Sequence, residues 1–388
     1  MYILHLTPYY APAYAYGGVV RAVQGMAEAT QQRGHQMTVL TTDTLDQHGG
    51  RISQLDEVIN GVRVVRLKNL LATVRGRYNL STPANLKHTA STLLQGVDVL
   101  HVHEFRTVEN IIVTQLAAER GIPIVLSPHG TLAQHTGRTT LKQQWDRWFS
   151  PYIAQRIHSV IALTEQEKQD TESLWTTFWK RKDPLNIPII PNGVNLLDFA
   201  NLPDPAPFRE QWQLGTDRVV LFMGRLHPRK GADLLAKAFL EANFPNTKLL
   251  IVGPDEGSEA EIRALNDPRI VLTGYLGGEQ RLAALAASDL FVLPAVGEGL
   301  PMAALEAMAS GLPVILSPEC NLFEAAAYEA GIIVRVTKDA LIMGLHNMLK
   351  HDSLKQMGIN ARALIAEKFT WEGVVEALEG VYREATKA

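Results

Sequence analysis

A chain of 388 residues, 46% of them hydrophobic, can bury a large core and is long enough for two domains. Lysine and arginine total 37 against 40 aspartate and glutamate, a formal charge of −3, so nothing in the bulk electrostatics calls for nucleic acid. The single cysteine, Cys320, excludes an internal disulfide and a cysteine-based zinc cluster and fits a reducing compartment. The opening MYILHLTPYY lacks the basic flank and length of a secretory signal, and no apolar run reaches the roughly 20 residues of a spanning helix. The expected location is the cytoplasm.

Short β-branched runs alternate with longer helical patterns along the chain, the signature of parallel sheets built from β-α-β units. The runs fall at residues 2–6, 37–41, 62–67, 97–102, 123–126, 159–163 and 187–190, then at 219–223, 248–252, 270–272, 290–293, 314–316 and 332–336. Between the two sets lies NLPDPAPF, residues 201–208, proline-rich and without apolar periodicity, the best place for a linker. The predicted fold is α/β: two facing Rossmann-like domains with parallel sheets, binding ligands in a cleft at the carboxyl ends of the strands.

The first strand runs into TPYYAPAYAYGG, where Gly17 and Gly18 open a helix reaching about Gln32; paired glycines there bring backbone N–H groups close to a ligand. In HVHEF, His101 and His103 alternate by two and share a strand face, but no third metal ligand is evident, and buried or cleft-lining histidines are the alternative. His129 follows the next strand in SPHGTL. Trp145, Trp148, Phe149 and Tyr152 then fall at i, i+3, i+4 and i+7, an aromatic helical stripe flanked by Arg138, Lys142, Arg147 and Arg156. Further on, Trp175, Phe178 and Trp179 adjoin Lys180, Arg181 and Lys182. Basic aromatic elements of this kind suit peripheral contact with an anionic membrane; domain packing explains the same stripe.

In the second half, GRLHPRKG at 224–231 sets Arg225 and Lys230 among glycines at a strand-to-helix turn. An arginine fork with a lysine point charge suits a diphosphate, and a solvated basic turn is the plainer reading. From Glu298 the chain reads EGLPMAALEAMASGLPVI. Pro301 suits a first helical position, Gly311 a left-handed cap, and Pro313 prevents continuation, which predicts a helix over 301–310. That helix is apolar on every side, so Glu306 stands nearly alone among apolar neighbours and needs donors such as ligand hydroxyls. Glu298 lies in the loop 297–300, whose glycine-flanked N–H groups at a helix start suit anionic or electron-rich ligand groups.

The order Gly17-Gly18, His129-Gly130, IPNGVNLLDF from Ile190, GRLHPRKG, the stretch from Ala287 through Glu298 and Glu306, and FTWEGV from Phe369 resembles a retaining nucleotide-sugar glycosyltransferase of the GT-B fold, family four, over essentially the whole chain. Glu298 and Glu306 match that family's E-x7-E motif, whereas Asn195 departs from its commoner PNGVD. The resemblance implies that Arg225 and Lys230 grip the donor diphosphate and that Glu306 accepts from the ribose hydroxyls. It places Glu298 and the amides of Gly299, Leu300 and Met302 against the transferred sugar, and His129 near its outer hydroxyls. Gly17, Gly18 and Gly224 would lie along the diphosphate, and Gly274, Tyr275 and Leu276 would form the base-binding turn. It also implies that a helix over 371–386 returns to the first domain, giving domains of 1–200 with 371–388, and 201–370.

The implied activity is transfer of a sugar from a UDP-, GDP- or ADP-linked donor to a glycan or lipid-linked acceptor, as in cell-envelope or exopolysaccharide synthesis. No cofactor is implied, since the nucleotide-sugar is the co-substrate. No Asp-x-Asp occurs in the sequence to hold a divalent ion, so positive side chains and helix termini are expected to carry the charge work without metal. Retention could proceed through Glu298 as nucleophile or through front-face displacement, and a bound diphosphate already offers a base on the correct face. An NDP-sugar epimerase or phosphorylase on the same fold, or a catalytically silent partner of another transferase, are the alternatives.

Overall fold

The computed structural model describes residues 1–46, 49–71, 81–132, 139–179, 183–350 and 353–387. The chain divides into two compact domains, one of Met1–Gly193 with Trp371–Ala388 and one of Val194–Thr370.

The first domain holds β1 (Tyr2–Leu6), β2 (Gln36–Thr42), β3 (Asp56–Ile59), β4 (Val62–Leu67), β5 (Val99–His103), β6 (Ile124–Ser127) and β7 (Ser159–Val160). Their order is β3-β4-β2-β1-β5-β6-β7, all parallel except β3, which pairs antiparallel at the edge. The six parallel strands, numbered among themselves, run 3-2-1-4-5-6, the doubly wound arrangement whose order reverses between β1 and β5. The second domain repeats that order with β8 (Arg218–Met223), β9 (Thr247–Val252), β10 (Ile270–Gly274), β11 (Leu290–Leu293), β12 (Val314–Leu316) and β13 (Gly331–Ile333), arranged β10-β9-β8-β11-β12-β13. Its reversal lies between β8 and β11. Central strands such as β5 and β11 are buried at every residue, as parallel strands covered on both faces must be.

The C-terminal helix Trp371–Ala385 is part of the first domain. It packs on the helix Gly18–Gln32 at Gly25, where an added Cβ would lie 2.0 Å from Trp371 Nε1. Farther along, the buried Glu379 accepts from Arg33 at 3.0 Å and from Arg383 at 2.8 Å, and pairs with His35 at 3.1 Å.

Several expectations need correction. The domains divide at 193/194 rather than 200/201, because the Val194 N–H donates to Phe369 O at 2.8 Å and ties this stretch to the second domain. The proposed linker is ordered: Asp204 caps the helix Pro205–Gln211 by accepting from the Ala206 N–H at 3.0 Å. The run at 187–190 is reduced to isolated bridges at Asn186 and Ile189, since Pro188 has no N–H to give a ladder.

The second membrane-contact segment also fails. Trp175 and Trp179 are 1% and 7% exposed and pack with Phe105 in the core. The stripe at 145–152 is broken, because the helix Thr139–Trp148 ends before Phe149 and a short helix, Ser150–Ala154, follows. Trp148, Phe149 and Tyr152 are exposed, while Trp145 is half-buried. Arg138, Lys180, Arg181 and Lys182 lie outside the described residues. No helix among the described residues is long and apolar enough to cross a membrane.

Candidate active site

In the second domain Gly224, Arg225, Lys230 and Glu298 lie on the loops that follow β8 and β11, the two strands flanking the reversal, whereas Gly274, Tyr275 and Leu276 lie at the end of the edge strand β10. Past β8, Gly224 N donates to Val252 O at 2.9 Å and Leu226 N to Pro254 O at 2.8 Å, which stitches the loop 224–231 to the end of β9. Pro228–Lys230 then makes a single tight turn, capped by His227 Nδ1 accepting from the Arg229 N–H at 3.1 Å and closed by Gly231 in the left-handed conformation, φ 72°. That turn sets Lys230 Nζ 2.6 Å from Glu298 Oε1, at the far side of the reversal. Arg225 Nη1 donates to both oxygens of Glu256 at 2.9 Å. Burial alone would raise the Glu298 carboxyl, but the Lys230 ammonium, with Arg225 and Arg229 behind it, holds it below the usual carboxylate range. Glu298 is therefore an anion at neutral pH.

The loop carrying Glu298 is fixed from several sides. Val296 N donates to Arg229 O at 2.7 Å, Ser317 Oγ to Ala295 O at 2.5 Å, and Asn321 Nδ2 to Glu298 O and Gly299 O at 2.9 and 3.0 Å. Leu300 and Met302 are buried, and Pro301 is the cap (φ −73°, ψ 117°) of a helix Met302–Ala309 rather than its first turn. Glu306, on that helix, is not alone as the sequence implied. Arg281, from the helix Gly278–Ala286, comes within 2.5 Å of Glu306 Oε2 while its guanidinium lies over the Phe199 ring at 5.7 Å. Gly274 ends β10 with φ 73°, Tyr275 is exposed and Leu276 half-buried.

Gly17, Gly18 and His129 belong to the first domain. Gly17, φ 102°, caps the helix that Gly18 begins. His129 follows β6 in the left-handed region, φ 53°, and Gly130 continues it at φ 75°. A non-glycine residue held there is strained, and Glu167 shows what holds it. Glu167 Oε1 accepts from the Gly130 N–H at 2.6 Å and Oε2 from the Leu163 N–H at 2.8 Å. Burial pushes the Glu167 carboxyl up to about 7, against the pull of those two N–H groups. His129 is itself buried, and burial lowers its ring to about 4. The third histidine that the sequence did not reveal is His5 on β1, whose ligand atoms lie with those of His101 and His103 within 4.8 Å of one another.

This chain matches two families, "Glycosyl transferase 4-like domain" over residues 17–177 and "Glycosyl transferases group 1" over 217–351, so the two spans together take in most of it. It is a group 1 glycosyltransferase of the GT-B fold. An uncharacterised glycosyltransferase of Methanocaldococcus jannaschii is 25% identical over 95% of each chain. The Escherichia coli UDP-Gal:alpha-D-GlcNAc-diphosphoundecaprenol alpha-1,3-galactosyltransferase is 29% identical over 74% of this chain and 75% of its own. Among solved structures, HepE of Anabaena in complex with UDP and glucose superposes with a TM-score of 0.77 at 18% identity, covering 99% of this chain and 100% of that one. The glycosyltransferase is thus a hexosyltransferase-type enzyme that uses a nucleotide-sugar donor.

Sequence reasoning missed Glu256, Arg281 and Asn321 in the second domain, and His5, Glu167 and, on the C-terminal helix, Tyr382 in the first. Only Glu167 carried a local signal. Thr164 caps its helix by accepting from the Glu167 N–H, the spacing of a capping box.

Proposed function

We propose that this glycosyltransferase transfers its sugar with retention and without a metal ion, to a lipid-linked or glycan acceptor. The observation that carries the reading is the Lys230–Glu298 ion pair at 2.6 Å, set where the strand order of the second domain reverses. Lys230 and Arg225 are the cations for the donor diphosphate, and Glu298 and Glu256 hold them in position. As the sugar–phosphate bond breaks, negative charge grows on the leaving oxygen, and preorganised cations stabilise it without reorganising. A carboxylate already bound to an ammonium is a poor nucleophile, so Glu298 suits electrostatic support of an oxocarbenium-like centre better than attack on it. The acceptor hydroxyl then bonds to the anomeric carbon on the face the diphosphate leaves, and its proton passes to the leaving phosphate oxygen.

Glu306 takes the ribose hydroxyls with Arg281 fixing its rotamer, and Gly274, Tyr275 and Leu276 take the base. The acceptor class draws support from the E. coli relative, whose named acceptor is diphosphoundecaprenol-linked. The exposed Trp148, Phe149 and Tyr152 supply the aromatic half of a membrane contact. Replacing all three by serine would abolish co-sedimentation with anionic vesicles, and unchanged binding would remove that contact from the proposal.

Lys230→Ala is the test of the site. Turnover should fall by roughly 10²–10³ in a folded protein, and wild-type turnover should survive excess chelator. Near-normal turnover in the variant rejects the assignment of Lys230, and loss with EDTA that magnesium or manganese restores rejects the metal-free route.

A further inference from the structure

The histidines of the first domain form a single hydrogen-bonded file. His129 Nε2 lies 3.0 Å from His103 Nδ1, His103 Nε2 lies 3.1 Å from His5 Nδ1, and His5 Nε2 lies 3.2 Å from the Tyr382 hydroxyl. The same hydroxyl is 2.7 Å from His101 Nδ1, and His101 Nε2 is 2.8 Å from Ser127 Oγ. Every ring nitrogen of the four is occupied except one. His129 Nδ1 is buried and has no partner among the described residues.

Two polarities are open to such a file of neutral rings, because each imidazole carries one N–H and one lone pair. In the first, protons point away from His129 and each group donates toward Ser127. The Ser127 hydroxyl proton is then left without an acceptor in the core, and His129 Nδ1 is left as an unmatched lone pair. In the second, Ser127 O–H donates to His101 Nε2, His101 Nδ1–H to Tyr382, Tyr382 O–H to His5 Nε2, His5 Nδ1–H to His103 Nε2, and His103 Nδ1–H to His129 Nε2. Every hydrogen bond of the file is then made, and the one proton left over is the N–H on His129 Nδ1. Each polarity leaves one donor unmatched within the domain, the Ser127 O–H or the His129 Nδ1–H, but the first also strands the His129 Nδ1 lone pair, so the second leaves one fewer polar group unsatisfied.

We propose that Ser127, His101, Tyr382, His5 and His103 act as a relay of positioning residues that fixes His129 as its Nδ1–H tautomer, making it a donor to an oxygen of the bound sugar. The sugar contact rests on the role given to His129 above; the relay does not. Burial keeps the rings in the neutral form that the relay needs, with His5 lowered to about 3 and His101 and His103 well below the ordinary imidazole value. Burial likewise raises Tyr382 well above its ordinary value, so the phenol keeps its proton. A metal ion shared by His5, His101 and His103 is the competing occupant, but it would have to displace their bonds to Tyr382, Ser127 and one another.

The experiment is nitrogen NMR of the full-length protein labelled at histidine, with His129 assigned by loss of its signals in His129→Asn. In the wild type His129 should show one tautomer, with Nδ1 protonated and Nε2 not. Ser127→Ala removes the group that favours one polarity, and Tyr382→Phe cuts the file three hydrogen bonds away from His129. In each, the two His129 nitrogen signals should shift toward each other as the tautomers mix. Unchanged His129 signals in both folded variants would overturn the relay, as would a wild-type protein that is Nε2–H at His129. One equivalent of zinc in the purified enzyme, with metal-shifted His5 and His103 signals, would overturn it as well. The sugar contact is read separately: whichever of the UDP-, GDP- and ADP-linked hexoses calorimetry shows to bind should shift His129 Nδ1, whereas its nucleoside diphosphate alone should not. An intact relay with no such shift would reject the sugar contact and leave the relay standing.

Discussion

Glu298 and Glu306 lie eight residues apart in one motif, but the structure pairs them with different cations, and that difference separates their roles. Glu306 meets Arg281 in a buried setting, a contact suited to ground-state binding of the ribose. Glu306→Gln should therefore weaken both nucleoside diphosphate and sugar donor by about 1.5–3 kcal/mol, the scale of a charge-assisted hydrogen bond. Glu298 meets Lys230, so Glu298→Gln releases that lysine toward the diphosphate. Its affinity for nucleoside diphosphate should hold or rise while kcat falls, since what is lost acts mainly in the transition state. Calorimetry with the diphosphate and steady-state kinetics on both variants decide it, and the reverse pattern would exchange the two assignments. The sequence showed both glutamates and Lys230, but neither Arg281 nor the pairing of Lys230 with Glu298. Arg281 and Glu256 are separated from their mates by whole helices and strands, and no local spacing encodes such a meeting.

Among the elements, the parallel strands were legible because burial on both faces leaves unbroken apolar runs, as in LFVL of β11. β3 was not, since it is an edge strand whose residues alternate between exposed and half-buried. Asp204 followed by Pro205 is a helix start that the proline content of the linker candidate hid. Trp175 and Trp179 were misread because residue type does not state which face is covered. The seating of the C-terminal helix makes an element-scale prediction with two opposite signs. Gly25→Ala would drive a Cβ into Trp371 and should destabilise by about 1–3 kcal/mol despite its better helix propensity. Gly380→Ala, on the same C-terminal helix with nothing within 4 Å, should stabilise by about 0.5–1 kcal/mol. Urea unfolding of both proteins tests the pair, and a stable Gly25→Ala would mean that the two helices do not meet there.

At the scale of the molecule, the first domain carries a built-in sensitivity to acid. His5, His101, His103 and His129 are held neutral by burial, with pKa values depressed below the ordinary 6.5. The unfolded chain takes up their protons first, so the stability they contribute is complete above about pH 6.5 and is lost as pH falls toward 4. Glu167, raised to about 7, works the other way: it is protonated first in the folded state and offsets one of the four. The net effect of the five groups is a loss of stability on acidification. Five of the six tryptophans lie in the first domain, so tryptophan fluorescence reports its unfolding. The urea midpoint should drop steeply between pH 6.5 and 5, and a flat profile would show that the rings are not neutral in the core. Tyr382 adds a consequence in time. A ribosome releases residues 194–370 before it makes the helix that carries Tyr382, so the nascent first domain waits, its histidine file open in the middle, until translation has passed through the second.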